Sequence, residues 1–125
     1  DWGYAGDYVR GMHAILQANE PDNYVLATNR TETVRDFVEM SFKRVGIDLE
    51  FQGSGHSEFA LDVKTGQTVV QINPKFYRPA EVELLIGDPS KARDELGWEP
   101  ETTLEQLCEM MVDADMRRNN NGQSF

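Results

Sequence analysis

Two alternating runs flank a turn in the middle of the chain. Phe59, Leu61 and Val63 point one way along the first, Thr68 to Ile72 form the second, and Lys64-Thr65-Gly66-Gln67 lies between them. Alternation at a period of two gives each run an inner and an outer face, and a short glycine-bearing turn brings two such runs together antiparallel. This predicts a β-hairpin. It also fixes what comes next, because the second strand delivers the chain into Asn73-Pro74-Lys75-Phe76-Tyr77-Arg78-Pro79-Ala80-Glu81-Val82-Glu83.

That segment is aromatic, then cationic, then rigid, then acidic. Arg78 offers a planar fork of donors suited to phosphate or carboxylate. Pro79 locks its own φ and pushes Arg78 toward an extended backbone. Glu81 can accept hydrogen bonds from two adjacent hydroxyls, and Phe76 and Tyr77 supply apolar walls. A molecule with a diphosphate, a ribose diol and a flat base matches this set. A purely structural account also stands: Pro79 starts a helical turn, Glu81 favours its N-terminus, and Arg78 pairs with a surface acid. The net charge of −10 disfavours nucleic acid and anionic membrane surfaces as partners. An anionic small molecule must then be held by a few placed cations, which gives Arg78 weight.

The flanking sequence reads as alternating helices and short strands. Asp7 is expected to cap a first helix whose stripe is Tyr8, Val9, Met12, Ile15 and Leu16. Tyr24-Val25-Leu26-Ala27 reads as a short buried strand. Thr33-Val34-Arg35-Asp36 opens a second helix, with Val34, Phe37, Val38, Phe42 and Val45 at helical spacing and Gly46 at its end. Leu49-Glu50-Phe51 is a further strand, and helix, strand, helix, strand suggests crossovers. Asp88-Pro89 starts a third helix that Gly97 closes. Thr102-Thr103-Leu104-Glu105 starts a fourth, with Leu104, Leu107, Cys108, Met111 and Val112 inward. Val9, Ile15, Val25, Leu26, Phe37, Val38, Leu104 and Leu107 are the expected core. Residues 1–118 form one α/β domain in this reading, and 119–125 a polar tail.

Several kinds of chemistry find no support. Gly53-Ser54-Gly55 lacks a third glycine and a following helix signal, so it is not expected to cradle phosphate. His13 sits alone on a helix flank, and His56 and Glu58 have no second ligand at metal spacing. The single cysteine, Cys108, reads as a buried small hydrophobe and points to a reducing, cytoplasmic setting. No apolar run is long enough to span a membrane. No complete catalytic set is present, so the catalytic, cofactor-binding and metal-ligating residues are all expected to be none.

Asp1-Trp2-Gly3 and Asp7-Tyr8-Val9, then Phe76-Tyr77-Arg78-Pro79-Ala80-Glu81-Val82, then Gly87-Asp88-Pro89-Ser90-Lys91-Ala92 and Leu96-Gly97-Trp98-Glu99-Pro100 occur in this order. Together they resemble the C-terminal part of the GDP-mannose 4,6-dehydratase family of extended short-chain dehydrogenases/reductases. The resemblance implies a small C-terminal substrate-binding domain with short strands, a hairpin and about four helices. It also implies an N-terminal Rossmann domain that binds NADP and carries the acid/base residues upstream of Asp1, and a homo-oligomeric parent. The implied reaction eliminates water from GDP-mannose to give a 4-keto-6-deoxy sugar on the way to GDP-fucose. Within it Arg78 would hold the diphosphate and Glu81 the ribose hydroxyls. A related nucleotide-sugar epimerase or reductase is the nearest alternative. A non-catalytic nucleotide-binding or packing module is another. On this reading the chain is a piece of a longer protein.

Overall fold

The computed structural model describes residues 1–78 and 84–122. Glu81, one of the two expected site residues, lies outside the described residues, as do Pro79 and Val82. Among those described there are four helices, α1 (Ala5–Leu16), α2 (Val34–Arg44), α3 (Ser90–Leu96) and α4 (Leu104–Asn120). Three strands, β1 (Leu49–Gln52), β2 (Phe59–Asp62) and β3 (Thr68–Gln71), lie between α2 and α3. This is the small α/β architecture the sequence implied. The chain divides into two compact units, Asp1–Thr33 with Leu84–Phe125, and Val34–Glu83.

The second unit is α2 and the sheet. Its strands run in sequence order, β1-β2-β3, and both pairings are antiparallel. The expected crossovers are therefore absent from this sheet: Leu49–Gln52 is joined to β2 by a short loop, which permits only an antiparallel neighbour. Phe51, Ala60 and Val70 form one row across it, and Ala60 at its centre is completely buried. A bulge between Ala60 and Leu61 shifts the β2–β3 register, so Leu61 faces Thr68. Asp62 organises the turn. Its carboxylate accepts from the Lys64 amide at 2.8 Å and the Thr65 hydroxyl at 2.8 Å, which holds its pKa below the ordinary carboxylate value. The end of α2 is a Schellman arrangement. Gly46, at φ 78°, donates to the Lys43 carbonyl, and Ile47 donates to that of Phe42.

The first unit is built on α1, α3, α4 and extended chain. Asp7 does not cap α1 as expected. The helix starts earlier, with Tyr4 at the N-cap and no side-chain capping bond. The Asp7 carboxylate is engaged elsewhere: its Oδ2 accepts from the amides of Glu101 (3.2 Å) and Thr102 (2.9 Å), and its Oδ1 from Arg10 (2.8 Å). Its backbone carbonyl accepts from the indole nitrogen of Trp98 at 2.8 Å. Asp7 is 1% exposed and Trp98 4%.

These contacts rotate the expected facing of α1, leaving Tyr8 and Ile15 of the stripe half-buried. Its buried residues are Asp7 and Gly11, one turn apart, while Val9, Met12 and Leu16 are exposed, Leu16 to 79%. A β-carbon on Gly11 would stand 2.7 Å from Leu26 Cδ1 and 2.9 Å from Trp98 Nε1. The helix backbone comes this close only because no side chain intervenes. Residues 24–27 form no strand among the described residues, and Val25 is exposed, although Ala27 is buried. Of the expected core only Leu104 is buried. Ile15, Leu26, Phe37, Val38 and Leu107 are half-buried.

The remaining end signals act close to where the sequence places them. Gly97 adopts φ 65° after α3. Asp88 accepts from the Ser90 amide and hydroxyl, and the helix begins at Ser90, one residue later than expected. Thr103 and Gln106 exchange the reciprocal bonds of a capping box at the start of α4. Cys108 is buried, as expected. The helix continues to Asn120, past the expected start of the tail.

Candidate functional site

Ile72 ends the pairing of β3, and the chain turns at once. Asn73 caps a single 3-10 turn, Pro74–Phe76, by accepting the Lys75 amide at 3.0 Å on its side-chain oxygen. The Phe76 and Tyr77 amides then close the turn by donating hydrogen bonds to the Asn73 and Pro74 carbonyls. This sets Tyr77, in extended conformation, and Arg78 beside the sheet. The loop before β2 meets them there. The His56 ring lies edge-on to Tyr77 with centroids 6.0 Å apart.

Asn73, Phe76, Tyr77 and Arg78 border a cavity of about 720 Å³ inside the second unit. Phe51, Phe59, Val70, Ile72, Phe76 and Tyr77 supply an apolar wall, and Val34 and Val38 of α2 another. Three charged side chains interrupt it: Arg35, Glu58 and Arg78. Arg35 forms an ion pair with Glu58, and its guanidinium lies 5.3 Å from the centre of the Phe51 ring. A volume of this size, mostly apolar with a few convergent charges, suits a small organic molecule.

The structure thus places Arg78 with Phe76 and Tyr77 on one cavity. Glu81 lies outside the described residues. Sequence reasoning missed the Arg35–Glu58 pair. Arg35 reads as an ordinary exposed helix residue, and Glu58 as part of a polar loop, because no local pattern joins positions so far apart in the chain. The Gly53-Ser54-Gly55 loop opens a 3-10 turn at Gly55–Ser57 instead of a helix. A β-carbon on Gly53 would meet the Ser57 carbonyl oxygen at 2.6 Å. Its glycine serves a tight backbone contact.

Several motif residues that carried the family resemblance lie in the first unit and hold it together. The Asp1 carboxylate accepts from the Thr28 hydroxyl at 2.7 Å and from the amides of Thr28 and Asn29 at 3.0 and 3.1 Å. A β-carbon on Gly3 would meet the Tyr8 hydroxyl at 2.4 Å. The Tyr8 ring stacks on Trp98 at 6.1 Å. Burial and the Asp7 charge both push the Tyr8 hydroxyl pKa up.

The family model for GDP-mannose 4,6 dehydratase matches residues 1–111. Among curated proteins, the GDP-mannose 4,6-dehydratase of Yersinia enterocolitica is 45% identical over 128 aligned residues, which take in 94% of this chain and 34% of that protein. The GDP-mannose 4,6-dehydratase sdnI of Sordaria araneosa is 46% identical, covering 100% of this chain and 23% of the relative. The GDP-mannose 4,6 dehydratase of Drosophila melanogaster is 46% identical, with 95% and 31% covered. The chain spans about a third or less of the length of these relatives. With nearly all of its length matched by the family model, the chain belongs to the GDP-mannose 4,6-dehydratase family.

Proposed function

We propose that this chain is the substrate-binding portion of a lyase that eliminates water from GDP-mannose to give GDP-4-keto-6-deoxymannose. The observation that carries the proposal is the position of Arg78 on an apolar, aromatic-walled cavity of about 720 Å³. A guanidinium in that setting can grip a diphosphate with paired hydrogen bonds, while the rings enclose the less polar parts of a nucleotide. The chain's net charge of −10 repels an anion at long range, so affinity rests on local cations. Glu81 is assigned to the ribose diol through the family motif.

NADP supplies the chemistry of taking and returning a hydride. No residue of this chain is assigned to it. The proposal places the cofactor and the acid/base groups in a Rossmann domain of the same protein, which would be cytoplasmic and homo-oligomeric. The role of these 125 residues is then to bind and orient the nucleotide sugar. Calorimetric titration of the complete protein with GDP, beside thermal melts, tests this. Arg78→Ala should weaken GDP by about 2–4 kcal/mol, in the range for truncating one side of a buried charged contact. Unchanged GDP affinity with a lowered melting temperature would end the assignment.

A further inference from the structure

We propose that His56 is a positioning residue: carried on the turn between β1 and β2, it holds the Tyr77 ring on the cavity wall and so strengthens binding of the nucleotide. This rests on the reading of the cavity as the nucleotide site, and it gives the loop of residues 53–57 a role in that site.

The loop is built to one shape. Gly53 and Gly55 stand at φ 79° and 57°, a region that favours glycine. The Ser57 amide and hydroxyl both donate to the Ser54 carbonyl, at 3.2 and 2.9 Å. The Glu58 amide donates to the Gly55 carbonyl, and the Glu58 carbonyl accepts from the amide of Ile72. The last bond ties the turn to the strand that leads into the segment carrying Tyr77. His56 is the middle residue of the 3-10 turn Gly55–Ser57.

This shape delivers a contact with Tyr77. The two rings meet at 67° with centroids 6.0 Å apart, within the range of a favourable edge-to-face pair. A β-carbon on Gly55 would lie 3.6 Å from the Tyr77 hydroxyl, so the turn runs along the ring as well. Tyr77 is 43% exposed and lines the cavity beside Arg78. A side chain so open to solvent loses rotamer freedom when a ligand packs on it. With His56 behind it the ring is already in place, and binding carries less of that cost. His56 does not itself line the cavity, so its effect passes through Tyr77. Arg78 serves the diphosphate and Tyr77 the remainder of the nucleotide, which gives His56 a distinct signature: it should matter for GDP and not for inorganic diphosphate.

The test is titration of the complete protein with GDP and with inorganic diphosphate, beside a thermal melt of each variant. His56→Ala should lower GDP affinity about threefold to tenfold, the size of one aromatic pair, and leave inorganic diphosphate unchanged. His56→Phe keeps a ring against Tyr77 and should bind GDP within about twofold of the unaltered protein. In a Tyr77→Leu background, His56→Ala should have no further effect. Arg78→Ala should weaken both ligands. Unchanged GDP affinity in His56→Ala overturns the proposal, whether or not the melting temperature falls. So does an equal loss for GDP and inorganic diphosphate, a His56→Phe protein as weak as His56→Ala, or a full effect of His56→Ala without Tyr77. Failure of GDP to bind, or its indifference to Arg78→Ala, removes the nucleotide-site reading itself and this inference with it.

Discussion

Trp98 donates its indole hydrogen to the main-chain carbonyl of Asp7, 91 positions earlier, at 2.8 Å. The bond is buried and joins the connector between α3 and α4 to the first turn of α1. Trp98→Phe keeps a ring against Tyr8 but removes the donor. Stability should fall by about 1–2 kcal/mol, because the carbonyl loses a buried partner and gains no water. Urea unfolding of the two proteins measures this directly, and equal midpoints would contradict it.

The carboxylate of the same Asp7 makes stability depend on acid. Burial alone pushes its pKa up, but the bonds from Thr102 and the nearby Arg10 outweigh burial and hold it below the ordinary value. A carboxyl depressed on folding stabilises the protein above its unfolded pKa of about 3.9. That contribution is lost as pH falls through the lower folded value. Unfolding free energy should therefore drop below about pH 4. In Asp7→Asn this component should be missing, with a loss of about 1–3 kcal/mol at neutral pH. Denaturant titrations from neutral pH into strong acid on both proteins would show parallel curves if the claim is mistaken.

Gly11→Ala sets two effects against each other. Alanine is the better helix former by about 1 kcal/mol. Its methyl, however, would stand 2.7 Å from Leu26 and 2.9 Å from the Trp98 ring nitrogen. Leu26 can rotate away, whereas Trp98 is held by its bond to Asp7. Overpacking of this kind costs about 1–3 kcal/mol, so the net change should be destabilising. A melting temperature at or above that of the parent would show that the helix shifts freely.

At the cavity, charge alone should not suffice. Arg78→Lys should fail to restore GDP binding lost in Arg78→Ala, because an ammonium lacks the planar fork. Glu81→Gln should cost less, about 1–2 kcal/mol, and only for molecules with a ribose diol. Titration with GDP and its 2′,3′-dideoxy analogue separates the cases. An Arg78→Lys variant that binds GDP as the parent does would refute the fork.

The sequence made local structure legible and long-range assignment poor. Gly46, Gly97 and the Thr103 box end or begin helices because each acts within a few residues, and the alternation from Phe59 to Ile72 specifies its own hairpin. Asp7 was misread for the opposite reason. Its place near the start of α1 matches a cap, but what claims it is an indole and two amides from the far end of the chain. The apolar stripe of α1 failed similarly: a stripe shows where hydrophobic surface lies, not which face the nearest neighbour takes, and Gly11 admits closer approach than Val9. Arg78 could be singled out because its companions are adjacent in the chain. Glu58 could not, since its meaning depends on Arg35.

The way the chain divides bears on how it assembles. Asp1–Thr33 must find Leu84–Phe125 across the whole of Val34–Glu83. While that intervening stretch is a random coil, joining its ends carries an entropy cost that grows with the logarithm of its length. The meander of α2 and three sequential strands needs only near neighbours, and such topologies form fast. Once it has condensed, the two segments of the other unit are tethered by a small folded body instead of a long free loop, and the Asp7–Trp98 bond becomes a late event. The Arg35–Glu58 pair, whose two members both lie in that stretch, should then form before the other unit closes, with the order of folding following the nesting of the chain.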